Sequence, residues 1–386
     1  MTLRWARTTG HAVAAPDEGR PVSTLELFFD LVFVFTITQV TALVRDGTGA
    51  TGYLRGAAVL VVTWWMYDGY AWLSNNIEPT TLSTRLPMLA GMAGFLFMAI
   101  ATPQAFGSQA WAFAIAYLLV VLIHGAQFSR SALGSSSEAI RRIVPVNVLA
   151  ALMLMLAAAL GGDLAWIGWA LAIVPLVLAV VVRRERGFAL RAGHFAERHQ
   201  LIIIIALGET VVAVGAGAQD RLHSFPVVFA VLLSLALLSA VWWLYFGGDD
   251  ERAAEALAEL PDTEVPSVAL RAYSLAHLLH VAGLVLVAVG LHAVVAEPGH
   301  GLSARNAVTT GAGLALFLIG EFCFLRTLRL TPGWWLVAGA AAALVVSPIG
   351  LANGLAEVAL LAAVTIVVVR VRRSDAPAQS GLAVQT

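Results

Sequence analysis

Eight ionisable side chains interrupt the apolar runs of this 386-residue sequence, and their types could do chemistry. They are Glu26, Asp30, Asp68, His124, Glu209, His277, His280 and Glu321. An ionisable group in a long apolar segment is costly, so it usually marks an ion pathway, a proton relay or a buried charge pair. Carboxylates and imidazoles together suit proton transfer or cation binding.

The spacing of these residues places some of them on common helix faces. Glu26 and Asp30 are four residues apart, and His277 and His280 are three apart, so each pair shares one face of a helix. Two histidines with a carboxylate can ligate a metal, but this spacing alone is a weak signal. We therefore predict binding residues, with no catalytic residue, no metal site and no cofactor, and polar packing is the alternative for the histidines.

Charge pairing within the bundle is the structural alternative for several of the carboxylates. Glu26 and Glu197 lie near Arg20 and Arg198 in the sequence, and Glu321 precedes Arg326 by five residues. Glu209 has no basic neighbour in the sequence, so it and Asp30 are the preferred functional candidates.

The elements that must position these groups are membrane-spanning helices. The chain is 59% hydrophobic and 12% charged, about half the charged fraction of a soluble domain, and its apolar runs have the length of about 20 residues that a bilayer requires. Barrel strands would give shorter, alternating segments. The expected fold is an all-α polytopic membrane protein of about twelve spans: 25–44, 54–74, 86–105, 109–128, 142–160, 164–182, 200–219, 225–246, 268–295, 306–325, 334–350 and 353–371.

The distribution of arginine predicts the orientation of these spans. With both termini in the cytoplasm, 19 of the 23 arginines fall in cytoplasmic segments, as the positive-inside rule requires. This arrangement predicts a bacterial inner-membrane protein in contact with membrane lipids. Seven of the eight candidates then lie at one depth near the cytoplasm, where they would line a hydrated vestibule with Glu209 at its deep end.

The two halves of the sequence resemble each other. Residues 64–69 and 242–247 both read W-W-x-Y-x-G, near the ends of the second and eighth spans. Because each half has an even number of spans, the two copies would be parallel repeats, a known transporter plan. The predicted segments are a cytoplasmic N-terminal segment (1–24), a first six-helix repeat (25–183), a basic cytoplasmic linker (184–199), a second repeat (200–373) and a disordered cytoplasmic tail (374–386).

Other features of the sequence limit the range of possible functions. The net charge of −1 gives no basis for nucleic-acid binding, and phosphate-binding glycine loops and zinc-protease or serine-hydrolase motifs are missing from the sequence. The acidic cytoplasmic loop 249–264 is either a solvated helix or a docking site for a soluble partner. The sequence is also compatible with a homo-oligomer.

Two motifs resemble those of a known family. Residues 26–35, Glu-Leu-Phe-Phe-Asp-Leu-Val-Phe-Val-Phe, and the pair Glu197-Arg198-His199 with Leu207-Gly208-Glu209-Thr210 are similar to the bacterial low-temperature-requirement A family. Thr210 stands where the family more often has serine, and the hydroxyl is kept. The resemblance implies an inner-membrane protein linked to growth in the cold, and it assigns no reaction.

Three functions are compatible with these observations. The favoured one is a secondary transporter or ion-conducting protein for a small solute or cation, in which Asp30 and Glu209 carry the coupling ion. The second is a membrane-embedded enzyme acting on a lipid or isoprenoid. The third is a non-transporting stress or scaffold protein.

Overall fold

The regular structure of the described chain is helical throughout. A computed structural model describes residues 21–131, 135–182, 190–331 and 333–375. The helices of the first half are α1 (Thr24–Asp46), α2 (Gly49–Asn76), α3 (Leu82–Ala101), α4 (Ala110–Ser131), α5 (Ser135–Leu160) and α6 (Ala165–Val182). Those of the second half are α7 (Ala192–Ala218), α8 (Phe225–Phe246), α9 (Asp249–Ala258), α10 (Val265–Ala269), α11 (Ala276–Ala296), α12 (Ala304–Thr327), α13 (Trp334–Val346) and α14 (Gly354–Asp375).

The prediction of an all-helical membrane protein is confirmed, but the count of twelve spans is not. Within the described residues, ten helices are long and apolar enough to cross a membrane. Each predicted span coincides with a helix, yet α2 and the apolar segment 162–178 containing most of α6 fall outside those ten. The second half of α2 carries Asp68, Ser74, Asn75 and Asn76, which lower its hydropathy.

Helices in the two halves have corresponding neighbours. In the first half, α1 packs on α2 and α3, and contacts continue through the pairs α3–α4, α4–α5, α5–α6 and α2–α6. In the second half, α7 packs on α8 and α11, and contacts continue through α11–α12, α12–α13, α13–α14 and α8–α14. The halves meet where α1 and α2 face α7 and α11.

One π-helical turn shapes this meeting surface. Residues 270–275 form a π-helix that joins α10 to α11 without a break. A π-turn inserts an extra residue and rotates the rest of the helix about its axis, and such turns are frequent at functional sites. Ser274 and His277 both reach buried partners from this stretch.

Two segments differ from the expected linkers. Residues 192–199, expected in the basic linker, are the first turns of α7, and Arg198 and His199 are buried. The acidic loop contains the helix α9, whose Asp249 is buried against Arg252, at 3.0 Å, and Arg372. The terminal segments 1–20 and 376–386 and the linker residues 183–189 lie outside the described residues.

Candidate functional site

Arg198 of α7 joins two carboxylates of α1 at one end of the meeting surface. Its Nη2 contacts Asp30 Oδ1, its Nη1 lies 3.7 Å from Glu26 Oε1, and Nη1 also donates to Ser74 Oγ at 2.9 Å. Arg198 is only 1% exposed, and Glu26 and Asp30 are fully buried. A charge so far from water is tolerable only with paired partners, so this contact ties the two halves together.

Helical spacing on both sides creates this contact. Glu26 and Asp30 are one turn apart on α1, and His194 and Arg198 are one turn apart on α7, so each helix presents a pair to the other. Glu26 also caps α1, because its Oε2 accepts from Ser23 N at 2.8 Å and from Ser23 Oγ at 2.7 Å. The remaining oxygen, Oε1, is left to face α7.

The imidazole ring of His194 is held in place by Asn75. The Asn75 amide is oriented by the backbone of Arg191: its Oδ1 accepts from Arg191 N at 2.8 Å, and its Nδ2 donates to Arg191 O at 2.9 Å. The same Nδ2 lies 3.3 Å from His194 Nδ1, which must therefore be the acceptor nitrogen. The proton of His194 is then on Nε2, which lies 3.2 Å from Glu26 Oε1.

Asp30 has one oxygen saturated and one unoccupied. Oδ1 accepts from Tyr67 OH at 3.0 Å and from Arg198, whereas Oδ2 is buried without a hydrogen-bond partner among the described residues. Two carboxylates, Glu26 and Asp30, thus lie against one guanidinium.

Asp68 and His199 form a second pair across the same surface. Asp68 Oδ1 lies 3.2 Å from His199 Nε2, and Asp68 Oδ2 accepts from Ser274 Oγ at 2.7 Å. His199 Nδ1 lies 2.9 Å from the carbonyl of Phe195, which can only accept, so this nitrogen carries a proton. Nε2 then faces a carboxylate oxygen of Asp68 within hydrogen-bond distance.

A row of imidazoles leads from this pair into the second half. The ring centroids of His199 and His277 are 5.3 Å apart, and those of His277 and His280 are 5.1 Å apart. His280 Nε2 lies 3.3 Å from Glu321 Oε2 on α12, and Tyr245 OH lies 2.6 Å from His277 Nε2. The row is buried and joins two carboxylates on α2 and α12.

Glu209 and His124 lie apart from these groups. Glu209 accepts from Thr38 Oγ1 at 2.7 Å, across the α1–α7 contact and about 16 Å along α7 from Arg198. His124 Nε2 lies 3.0 Å from the carbonyl of Gly69. Among the described residues, no group of three or more histidines, cysteines or carboxylates is arranged to hold a metal ion.

The meeting surface is also closed at the opposite end. Tyr53 OH and Thr309 Oγ1 are 2.5 Å apart. Arg305 donates to the carbonyls of Val44 and, at 3.2 Å, Arg45. Polar contacts thus join the halves at both ends, with the Thr38–Glu209 bond between them.

Comparison with known proteins gives the family. The model of the bacterial low temperature requirement A protein, LtrA, matches residues 21–371. The chain belongs to this family. A relative, the uncharacterized protein RA0937 of Rhizobium meliloti (strain 1021), is 27% identical over 324 residues, which cover 78% of this chain and 76% of the relative. The match to LtrA confirms the resemblance drawn from the two motifs, and it includes every candidate residue.

The basic residues that contact the carboxylates of this LtrA protein were not predicted from the sequence. Arg198, His194 and His199 lie in a segment that was expected to be a linker, although the Glu197-Arg198-His199 motif singled out two of them. Glu197 itself accepts only the backbone N–H of Val22, at 3.2 Å, within the described chain. Glu321 faces His280 rather than Arg326, so the sequence neighbour was a poor guide to its partner.

Proposed function

We propose that this LtrA protein is a secondary transporter or ion-conducting protein of the bacterial inner membrane that moves a small solute or cation coupled to protons. Asp30 and Glu209 carry the coupling ion, and Asp68, His277, His280 and Glu321 line the path. The twelve helices form two parallel six-helix repeats, with both termini in the cytoplasm.

The observation that carries the proposal is the unequal charge count at Arg198. A structural ion pair needs one carboxylate for one guanidinium, whereas Glu26 and Asp30 both lie against Arg198. Asp30 also keeps a buried oxygen without a partner in the described chain. A carboxylate in excess inside a membrane protein is costly unless it takes up a proton or cation, and binding such an ion is the first step of coupled transport.

The arrangement of the halves supports movement at this surface. Corresponding helices have corresponding neighbours, as expected for repeats related by an axis along the membrane normal, a plan in which the site lies at the repeat interface. The polar contacts at the two ends are of the kind that alternating access would break in turn. Arg198 closes the cytoplasmic end, and Arg305 with Tyr53 closes the outer end.

Glu209 is the second ion-carrying group because it lies between the two closures. Its one hydrogen bond in the described chain, from Thr38, is a weak tie for a carboxylate that is 7% exposed. An ion released from Asp30 would reach Glu209 along the α1–α7 contact.

The test is flux in proteoliposomes under proton, potassium and sodium gradients imposed in turn. We expect flux in the wild type under at least one gradient, and a loss of at least tenfold in Asp30→Asn and Glu209→Gln. The matched control is Asp46→Asn, on the same helix as Asp30, because the Asp46 side chain is 66% exposed and pairs with its neighbour Arg45.

The same assay can contradict the proposal. If the wild-type protein is folded and inserted but passes no ion under any of the three gradients, this result would contradict ion conduction. It would also contradict leakage of the coupling ion in the absence of a solute. Flux retained in both Asp30→Asn and Glu209→Gln would remove the assigned residues from the path.

A further inference from the structure

A cleft lies between α2, α4, α5 and the π-turn before α11, beside the Asp68–His199 pair. Its empty volume is about 560 Å³, a figure that includes the solvent space at its open mouth. Trp65, Asp68 and Trp72 line it from α2, His124 and Phe128 from α4, and Asn147 from α5.

The spacing of the lining residues brings aromatic rings around one carboxylate. Trp65, Asp68 and Trp72 recur at three and four residues, which places them on one face of α2. His124 and Phe128 are one turn apart on α4. Trp65 Nε1 donates to Asn147 Oδ1 at 2.8 Å, so the indole ring is held in place by a helix across the cleft.

His124 adds a hydrogen-bond acceptor to this lining. Its Nε2 faces the Gly69 carbonyl at 3.0 Å, which can only accept, so Nε2 carries the proton and Nδ1 has a free lone pair. His124 is 3% exposed, and its Nδ1 has no hydrogen-bond partner among the described residues. A buried acceptor of this kind is satisfied by a ligand that donates a hydrogen bond.

The charge of the lining selects the kind of ligand. Among the described residues that line the cleft there is no arginine, and Asp68 is the single carboxylate. Aromatic faces attract cations, and Asp68 and His124 Nδ1 both favour an N–H donor. We propose that the cleft binds a small organic cation, with its ammonium group beside Asp68 and between the rings of Trp65 and Trp72.

This inference names the substrate class of the proposed transporter and in that respect rests on the proposed function. The ammonium group could come from a soluble amine or from a lipid headgroup, because either presents the same chemistry to the cleft. Binding, however, does not require transport and can be measured separately.

The test is calorimetric binding of phenethylammonium and of its neutral analogue 2-phenylethanol to the full chain. We expect the cation to bind at least tenfold more tightly than the alcohol at pH 7.5. Asp68→Asn should remove the preference for the cation, and Trp65→Leu should weaken cation binding at least fivefold. Trp243→Leu is the control, because Trp243 is the equivalent tryptophan of the second W-W-x-Y-x-G motif and lies outside the cleft.

The outcomes separate the two proposals. Equal affinity for the cation and the alcohol, or wild-type cation binding in Trp65→Leu, would overturn the cleft assignment even if ion flux is found. Selective cation binding without any ion flux would support the cleft and contradict ion conduction. If the protein binds the cation selectively, binding is measured again in nanodiscs of phosphatidylglycerol with and without phosphatidylethanolamine. This comparison identifies whether the ammonium group comes from a lipid or from a soluble amine. Weaker phenethylammonium binding with the amine lipid indicates a headgroup, and unchanged binding indicates a soluble amine.

Discussion

Arg198 holds one end of the meeting surface together, although its contacts do not by themselves make the protein stable. A buried ion pair only roughly offsets the cost of removing its members from water, whereas removing one partner is strongly destabilising. For Arg198 the effect is larger than for an isolated pair, because its loss would leave Glu26 and Asp30 facing each other.

We predict that Arg198→Gln destabilises the protein by about 3–5 kcal/mol, and that adding Glu26→Gln and Asp30→Asn recovers much of this loss. Thermal unfolding in detergent is the measurement. Arg329→Gln is the control, since Arg329 is 66% exposed in its pair with Glu264 and such pairs contribute less than about 1 kcal/mol. A melting temperature of Arg198→Gln equal to that of the control would contradict the assigned role.

At the residue scale, the sequence predicted the carboxylates but not their partners. Asp30 and Glu26 were recognisable because a charge inside an apolar run is unusual, and their spacing gave the shared face. Arg198 was not recognisable as their partner, because it lies more than 160 residues away in a segment whose other arginines suggested a cytoplasmic linker. Tyr67 gave no signal beyond its place in the repeat motif.

At the scale of elements, the closest packing joins α11 and α12 through glycines. A Cβ added at Gly283 would lie 2.7 Å from the Gly313 carbonyl oxygen, and one added at Gly313 would lie 2.7 Å from the Gly283 carbonyl oxygen. The two backbones are therefore in direct contact, as small residues allow in membrane helix pairs. This contact positions His280 of α11 against Glu321 of α12.

We predict that Gly283→Ala lowers the free energy of unfolding by about 1–3 kcal/mol through overpacking. Gly215→Ala in α7 is the control, because nothing lies within 4 Å of its added Cβ and alanine favours the helix by roughly 0.5–1 kcal/mol. The measurement is the melting temperature of both variants. If Gly283→Ala is as stable as Gly215→Ala, α11 and α12 are not in contact at this position.

Helix positions were predictable because each apolar run has the length of a membrane span. The π-turn at 270–275 was not, since it leaves no mark in the pattern of apolar residues. Its Ser274 donates to Asp68 of α2, a contact between distant segments that the sequence does not reveal. The start of α7 was missed for a similar reason: its charged residues pair inside the protein, whereas composition alone assigned them to water.

At the scale of the whole molecule, α2 and α6 decide the topology. Both lie at predicted spans, but α2 and the apolar segment 162–178 of α6 are not among the ten helices that are long and apolar enough to cross a membrane within the described residues. If both cross the membrane, the chain has twelve spans and its halves are parallel repeats. If one does not, every later segment changes sides.

Labelling of single cysteines in whole cells with an impermeant maleimide tests this topology, in a background where Cys323, the one native cysteine, is replaced by alanine. We predict that Asp46→Cys and Asp163→Cys react in intact cells, and that Glu78→Cys and Asp262→Cys react only after permeabilisation. Reaction of Glu78→Cys in intact cells would mean that α2 does not cross. Reaction of Asp262→Cys in intact cells, with Glu78→Cys still protected, would mean that α6 does not cross.

The central claim is that Asp30 carries the ion that couples transport, and the most direct measurement is proton flux in proteoliposomes containing Asp30→Asn or Asp30→Glu. Glutamate keeps the titratable carboxylate beside Arg198, so we predict at least a third of the wild-type flux for Asp30→Glu and less than about a tenth for Asp30→Asn, in proteins with equal melting temperatures. Equal flux in the two variants, at or near the wild-type rate, would show that the carboxylate at position 30 only packs against Arg198, and it would contradict the account.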